Sequence, residues 1–346
     1  MDGTPADFYQ SHLDRVSRSF AFCIQQLPQP LHDWVGLSYL LCRIVDTVED
    51  SAWADESSQL KIFQRFDRAL VEAQAVDELL GWQGLFPEIS EHERLLLVDA
   101  HRLLTDFHHL PPQIYEIIRE LVLSMSQGMQ HFCRHRQNGD LRLSTLVEVN
   151  QYCFFVAGLV GELLAKLIAN IEPKFQTSQL NILRAHHFGQ FLQKVNLLKD
   201  QVTDERLGRH LIPSRELVEG SAGENAEQAL NFLLQLPKEQ IEFRRFCAWS
   251  LFLGLEALSV ARDSVLSQRV IKVPRSEMQS ILAAVEGALD DDEALRELFA
   301  TGRNKLGWAQ FGEPLASRTA ELPKWLLALY HGPLDSQSLH DLGLTS

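Results

Sequence analysis

The chain has 346 residues, 45% of them apolar and 23% charged, and its 46 acidic against 32 basic side chains leave a formal charge of -14. That composition supports a sizeable folded core, and its acidity excludes a protein that coats nucleic acid or anionic lipid, while an anionic ligand at a local basic or metal-loaded site stays possible. The five cysteines (Cys23, Cys42, Cys133, Cys153, Cys247) are scattered and show no CxxC spacing, so neither a disulfide framework nor a zinc cluster is indicated and a reducing, cytoplasmic setting fits best.

Residues Met1 to Gln10 carry acidic side chains and no apolar core, which excludes a signal peptide reading of this stretch. From there on, apolar residues recur at three and four. They predict helices over 31–50, 56–77, 91–107, 112–135, 144–170, 178–204, 225–234, 238–266 and 276–300, with shorter ones beyond 303. Prolines at Pro28/Pro30, Pro87, Pro111/Pro112, Pro173, Pro213, Pro237 and Pro274 punctuate them, and no run of alternating strand pattern is found. The fold class expected is therefore all-α. With no linker and no block of like charge, one domain is expected over residues 1–332, followed by a loose tail over 333–346. The most apolar run, Tyr152 to Ala169, is interrupted by Glu162 and Lys166, so it predicts a core helix and a protein that is soluble or peripherally membrane-associated, without a transmembrane span.

Two segments put charge where an apolar helix has no evident use for it. On the helix 31–50, Tyr39, Arg43, Asp46 and Asp50 are spaced four, three and four and share one stripe, while Val35, Leu37, Leu40, Leu41, Ile44, Val45 and Val48 cover most of the remaining circumference. In 178–204, Gln193, Asn196, Asp200 and Asp204 repeat the arrangement amid Phe191, Leu192, Val195, Leu197, Leu198 and Val202. One such stripe reads equally as a solvated face with an Arg–Asp pair. Two are harder to dismiss, because buried carboxylates are costly unless paired or holding a metal. Each stripe sets two carboxylates one turn apart, about 6 Å along the axis. Mg²⁺ takes one or two carboxylates and completes its octahedron with water and phosphate oxygens, which points to a diphosphate substrate.

"DTVED" (46–50) and "NLLKDQVTDE" (196–205) resemble the two Asp-rich motifs of the squalene/phytoene synthases, the head-to-head prenyl transferases. The resemblance continues in order through "SRSF" (17–20), "YLLCRIVDTVED" (39–50), "SQGMQHF" (126–132), "YCFFVAGLVG" (152–161), "FLQKVNLLKD" (191–200), "GRHLIP" (208–213) and "FCA" (246–248), with the squalene synthases nearest. It implies a single-domain isoprenoid synthase fold with helices around a central cavity. The activity implied is condensation of two farnesyl diphosphates through presqualene diphosphate, followed by NADPH reduction to squalene. The alternatives it leaves are a presqualene diphosphate, dehydrosqualene or phytoene synthase without the reductive step, or an inactive isoprenoid-binding homologue.

By the same resemblance, Asp46, Glu49, Asp50, Asn196, Asp200 and Asp204 bind Mg²⁺, with Glu49 lying off the stripe. Arg18, Ser19, Phe20, Tyr39, Arg43, Gln193, Asn196, Lys199 and Arg209 contact substrate, Arg forks suiting phosphate oxygens. Lys199 stands where squalene synthases of animals and fungi commonly carry Arg. Tyr152 steadies a carbocation or passes a proton to departing diphosphate, although an ordinary core tyrosine is the plain alternative. Phe20, Phe154, Phe155, Phe188 and Phe191 line the prenyl cavity or simply pack the core. Lys272 and Arg275 in "RVIKVPR" (269–275) are the candidates for NADPH phosphates. The usual Phe-Cys-Ala-Ile-Pro-Gln is "FCAWSL" here, with Trp249, Ser250 and Leu251 replacing Ile-Pro-Gln, which puts the product in question. His131 and His135, four apart, lack a third ligand for zinc.

Overall fold

Helix starts follow the capping chemistry written into the sequence. Asp55, Ser90, Thr145, Ser178, Ser214, Asp291 and Asp335 each stand at an N-cap and accept from a backbone N–H of the first turn. The computed structural model describes residues 5–136, 139–267, 273–308 and 321–345. Among these, the helices are α1 (Pro5–Val16), α2 (Arg18–Ile24), α3 (Leu31–Asp50), α4 (Glu56–Val71), α5 (Glu91–Val98), α6 (Ala100–His108), α7 (Pro112–Cys133), α8 (Leu146–Cys153), α9 (Leu159–Ile171), α10 (Gln179–Arg206), α11 (Arg215–Gln235), α12 (Ile241–Ser267), α13 (Arg275–Glu286), α14 (Asp292–Lys305), α15 (Lys324–Leu329) and α16 (Ser336–Asp341). Two 3-10 turns, Ala73–Leu79 and Trp82–Leu85, join α4 to α5, and a π-helical turn, Phe154–Gly158, joins α8 to α9. The strands are two-residue stubs, β1 (Leu141–Arg142) and β2 (Arg209–His210), paired in parallel. The protein is all-α, as the periodicity predicts.

By its internal contacts the chain divides into two compact units. The first comprises residues 1–139 with Leu329–His331, and the second comprises 140–328 with 332–346. In the first unit α3 is the central helix, packed by α1, α4, α5, α6 and α7. In the second unit α10 plays that part against α9, α11 and α12.

The second unit owes its tightest contact to two glycines. A Cβ at Gly161 of α9 would overlap the Ala185 carbonyl of α10, and a Cβ at Gly189 of α10 would overlap the Ala157 carbonyl of the π turn. Backbone therefore meets backbone there, and only glycine fits. The run Leu146–Ile171 is apolar and long enough to cross a membrane, but 78% of its most apolar window is buried inside the protein, which identifies a core element.

The loose tail expected over 333–346 is not found. Residues 336–341 form α16, and Leu339, Leu342, Leu344 and Thr345 are buried. Asn150 and Gln151 of α8 donate to the Gly343 and Leu344 carbonyls at 3.1 and 2.8 Å. Gly343 has a φ of 69° and lies so close to the Asn150 amide that a side chain there would clash. The short, polar run after Gly332 hides this docking, because its partners lie on the distant α8 and α10.

Candidate active site

The stripe expected on α3 is real. Fourteen of its twenty residues are buried. Tyr39, Arg43 and Asp46 are partly accessible and Asp50 is exposed, so the wet edge of the helix runs along these four. The Arg43 Nη2 donates to Glu93 Oε1 of α5 at 2.6 Å. Burial works against its charge, but Asp46, Tyr39 and Glu93 outweigh it and hold the guanidinium above the usual arginine pKa. Burial pushes the Tyr39 phenol up to about 12, and the Phe20 ring lies 5.8 Å from it.

Glu49 falls elsewhere. It is 2% exposed, and its charge is the second cause, after burial, that raises the Cys133 thiol of α7 to about 12. The carbonyl of Glu49 accepts from Gln59 and Arg136, both at 3.0 Å, which ties down the end of α3. Arg18 and Ser19 stand in the first turn of α2.

A partly buried carboxylate in the same unit was not legible beforehand. Asp67 of α4 accepts from Ser126 Oγ at 2.6 Å and Gln130 Nε2 at 2.8 Å, both from the "SQGMQHF" run of α7. Burial raises it to about 6 against the pull of these two donors. The His131 and His135 rings lie tilted with centroids 4.3 Å apart, and no metal-binding group of three is found among the described residues.

The second stripe lies on α10. Gln193, Asn196 and Asp204 are partly accessible and Asp200 is exposed, whereas Val195, Leu197 and Leu198 are buried. The Lys199 ammonium sits 3.4 Å from Asn196 Oδ1 and 3.3 Å from Asp200 Oδ2, so the cation in place of the expected Arg touches two of the proposed ligands. Beyond α10 the chain turns at Gly208, whose φ of 74° suits glycine. Leu141 N and Leu143 N donate to the Gly208 and His210 carbonyls at 2.9 and 3.0 Å, which fixes β2. This places Arg209 with Nη2 at 3.4 Å from the Tyr152 hydroxyl and Nε at 3.9 Å from Asp204 Oδ1. Tyr152 itself is 1% exposed.

The aromatic residues resolve towards the core. Phe154 stacks on His186 at 4.8 Å, Phe155 lies 5.6 Å from Trp325, and Phe188 lies 5.8 Å from Phe232. Phe154, Phe155, Phe188 and Phe191 are all buried. Behind them His186 Nε2 and Lys166 Nζ hold the Glu162 carboxylate, each at 2.7 Å. Burial alone would raise Glu162, yet these two partners bring its pKa down to about 2. Lys194, one residue along from Gln193, is fully buried and donates to Ser221 Oγ and Asn225 Oδ1 at 2.7 and 2.5 Å. Burial lowers it to about 8. Its partners come from α11, so no spacing in the sequence could have announced them.

Of the residues expected to meet NADPH, Lys272 lies outside the described residues, and Arg275 is exposed in the first turn of α13. Trp249, Ser250 and Leu251 are buried in an unbroken α12, where Ser250 Oγ donates to the Phe246 carbonyl at 2.8 Å.

Comparison with known proteins follows the same outline. A family model described as squalene/phytoene synthase matches residues 13–286. The squalene synthase of Candida albicans is 34% identical over 205 residues, covering 58% of this chain and 44% of the relative. That of Cyberlindnera jadinii is 30% identical over 286 residues, covering 75% and 62%. The chain thus spans about half of the length of the curated relatives it matches. A structure described as TcSQS with the ligand BPH1237 superposes with a TM-score of 0.66 at 21% identity, covering 99% of both chains. A dehydrosqualene synthase in complex with ligand gives 0.53 at 19% identity, covering 82% of this chain and 96% of that one. At such identities the structural likeness speaks for the all-α fold.

Proposed function

This chain belongs to the squalene/phytoene synthase family, and we propose that within it the protein is a squalene synthase, a farnesyl-diphosphate farnesyltransferase joining two substrates head to head through presqualene diphosphate. One observation carries this reading. On α3 and on α10 the accessible edge holds a pair of carboxylates one turn apart, Asp46 with Asp50 and Asp200 with Asp204.

The donor set fits Mg²⁺. Among the described residues no group of three or more His, Cys, Asp and Glu forms a cage of its own. Hard carboxylate oxygens in pairs, leaving room for water and phosphate, are what Mg²⁺ uses when it shares a phosphorylated ligand. Asp46 and Asp50 would hold it on α3, and Asn196, Asp200 and Asp204 on α10. Glu49, 2% exposed, adds charge from behind the first pair rather than an open ligand position. When bound, Mg²⁺ supplies the positive field that neutralises a departing diphosphate.

The remaining roles belong to the chain. Arg43, Lys199 and Arg209, with Arg18 and Ser19, offer donors to phosphate oxygens. Tyr39 and Phe20 of the first unit, and Gln193 of the second, are each assigned to substrate contact by the family resemblance. The Tyr152 hydroxyl accepts from Arg209 and passes the proton on its Oη to the leaving diphosphate, and its burial keeps water from it. NADPH would supply the hydride for the second half-reaction, with Arg275 as the described candidate for its phosphates and Lys272 beside it in sequence. The protein would act in the cytoplasm, soluble or weakly attached to the membrane that receives its oily product, and recovery only in a detergent-extracted fraction would overturn this.

A second reading, a synthase that stops before hydride transfer, is favoured by one observation: Trp249, Ser250 and Leu251 fill α12 where squalene synthases have another sequence. Incubation with labelled farnesyl diphosphate and Mg²⁺ tests the shared part. Condensation that EDTA abolishes supports it, and undiminished turnover in EDTA overturns it.

A further inference from the structure

The Lys194 ammonium of α10 is fully buried, and the groups it bonds are a hydroxyl and an amide rather than a carboxylate. Its Nζ donates to Ser221 Oγ at 2.7 Å and to Asn225 Oδ1 at 2.5 Å, two acceptors one turn apart on α11. The chain of bonds continues at both ends. Asn225 Nδ2 donates to His187 Nδ1 of α10 at 2.7 Å, and Ser221 Oγ donates at 3.4 Å to Asn150 Oδ1 of α8, whose Nδ2 holds the Gly343 carbonyl at 3.1 Å. All of these residues belong to the second unit.

Stability does not explain such a cation. Burying an ammonium costs several kcal/mol, and an apolar side chain of the same volume in its place is often neutral or stabilising. What it supplies is direction. Helix α11 meets α10 through the buried Ala222, Gly223 and Ala226, which are too small to form ridges, so their contact leaves rotation and sliding weakly defined. Two directional bonds from one nitrogen to successive turns of α11 define both. At 3.6 residues per turn, Asn196, Asp200 and Asp204 lie about 200°, 240° and 280° round α10 from Lys194, so the anchor and the stripe occupy different faces. Side chains end about 6 Å from a helix axis, so a rotation of about 20° moves a carboxylate by about 2 Å, whereas Mg²⁺ coordination tolerates about 0.2 Å.

We propose that Lys194 is a positioning residue for the second carboxylate pair: by bonding Ser221 and Asn225 it fixes the rotation and register of α10, and with them the angle at which Asp200 and Asp204 meet a divalent cation carrying a diphosphate. The proposal rests on the reading of the α10 stripe as a Mg²⁺ and diphosphate site, and the two anchors it names lie outside every motif that carried that reading.

The test is calorimetric binding of inorganic diphosphate, with Mg²⁺ or with Ca²⁺, to the full chain and to Lys194→Met, Asn225→Ala, Asn225→Asp and Asp200→Asn. Met keeps the volume of Lys194, so Lys194→Met should melt within a few degrees of wild type. Its affinity with Mg²⁺ should nevertheless fall about tenfold to a hundredfold, the usual effect of losing a group that orients metal ligands. With Ca²⁺, whose coordination geometry is flexible, the loss should be smaller. Asn225→Ala removes one of the two anchors and should weaken Mg²⁺-dependent binding in the same sense. Asn225→Asp keeps an acceptor for the ammonium, and His187 can donate to it in its other tautomer, so it should bind near wild type. Wild-type affinity in both Lys194→Met and Asn225→Ala, with Asp200→Asn weakened, overturns the proposal. So does an equal loss with both cations, which would make Lys194 a source of charge rather than of geometry. If Lys194→Met does not fold, the two Asn225 variants decide: equal affinities overturn the proposal, and weakening confined to Asn225→Ala upholds it. If Asp200→Asn also binds as wild type does, it is the reading of the stripe that fails.

Discussion

Arg209 reaches Tyr152 and Asp204 at once, with Nη2 at 3.4 Å from the phenol oxygen and Nε at 3.9 Å from the carboxylate. One guanidinium therefore links a buried hydroxyl on α8 to a proposed metal ligand on α10, and it stands there because Gly208 turns the chain and β1 grips it. Removing the hydroxyl should separate chemistry from structure. Tyr152→Phe keeps the ring and its packing, so melting should shift little. Turnover of farnesyl diphosphate should drop by about a hundredfold or more, the contribution of a positioned proton donor. Activity near wild type would reduce Tyr152 to a core residue.

The carboxylate pairs make a second prediction. Asp50 and Asp200 are exposed, and each lies one turn from another Asp on its stripe. Asp50→Asn or Asp200→Asn removes a ligand charge and relieves repulsion within the pair. Each variant should lose at least about a hundredfold in turnover with its melting temperature unchanged or slightly raised, in line with the loss of one catalytic electrostatic contact. Scanning calorimetry beside a turnover assay reads both quantities. A fall in melting temperature that parallels the loss of activity would make these residues structural.

The glycine crossing predicts a large stability effect far from any charge. Gly189→Ala places a methyl group on the Ala157 carbonyl. Backbone cannot yield as a side chain does, so unfolding should become easier by about 3 kcal/mol or more. Gly220→Ala is the control, since nothing lies within 4 Å of a Cβ there. In the interior of α11 it should stabilise by up to about 1 kcal/mol. Urea unfolding of both variants checks the contrast, and equal midpoints would refute the close contact.

Asp67 predicts a pH dependence with an unusual sign. Its folded pKa is raised to about 6 from an ordinary value of 3.8, because burial outweighs the Ser126 and Gln130 hydrogen bonds. Between these two pH values the folded state keeps a proton that the unfolded state has released. The stability contributed by this group is thus complete below the lower value and is lost as pH rises through the higher one, amounting to about 3 kcal/mol. In Asp67→Asn the Gln130 amide can turn to accept from the new amide, so the polar contacts survive. The difference in unfolding free energy between variant and wild type should therefore move in favour of the variant from pH 4 to pH 7. Parallel profiles would show that Asp67 is ionised throughout.

What could be read from the sequence was whatever repeats along a single helix. The apolar periodicity of 31–50 matched α3 end to end, and the two charged stripes emerged where their spacing put them. Contributions assembled from several helices were out of reach. Lys194 is satisfied by Ser221 and Asn225 of α11, and Arg43 by Glu93 of α5, partners at sequence distances that no local pattern encodes. Helix α11 begins at Arg215, ten residues before the expected 225, because the glycines and serine of "EGSAGEN" resemble a loop. Buried Ala222, Gly223 and Ala226 instead let α11 lie close along α10. The expected helix 276–300 breaks into α13 and α14 between Gly287 and Asp291, where Asp291 caps the second.

The central claim is the condensation itself with its reductive end. The most direct measurement is identification of the products from labelled farnesyl diphosphate with the full chain and Mg²⁺, in the presence and absence of NADPH. The account predicts squalene with NADPH, and presqualene diphosphate or its rearranged products without it. The same product in both reactions would contradict squalene synthesis and establish the non-reductive reading, and no condensed product in either would contradict the proposed activity as a whole.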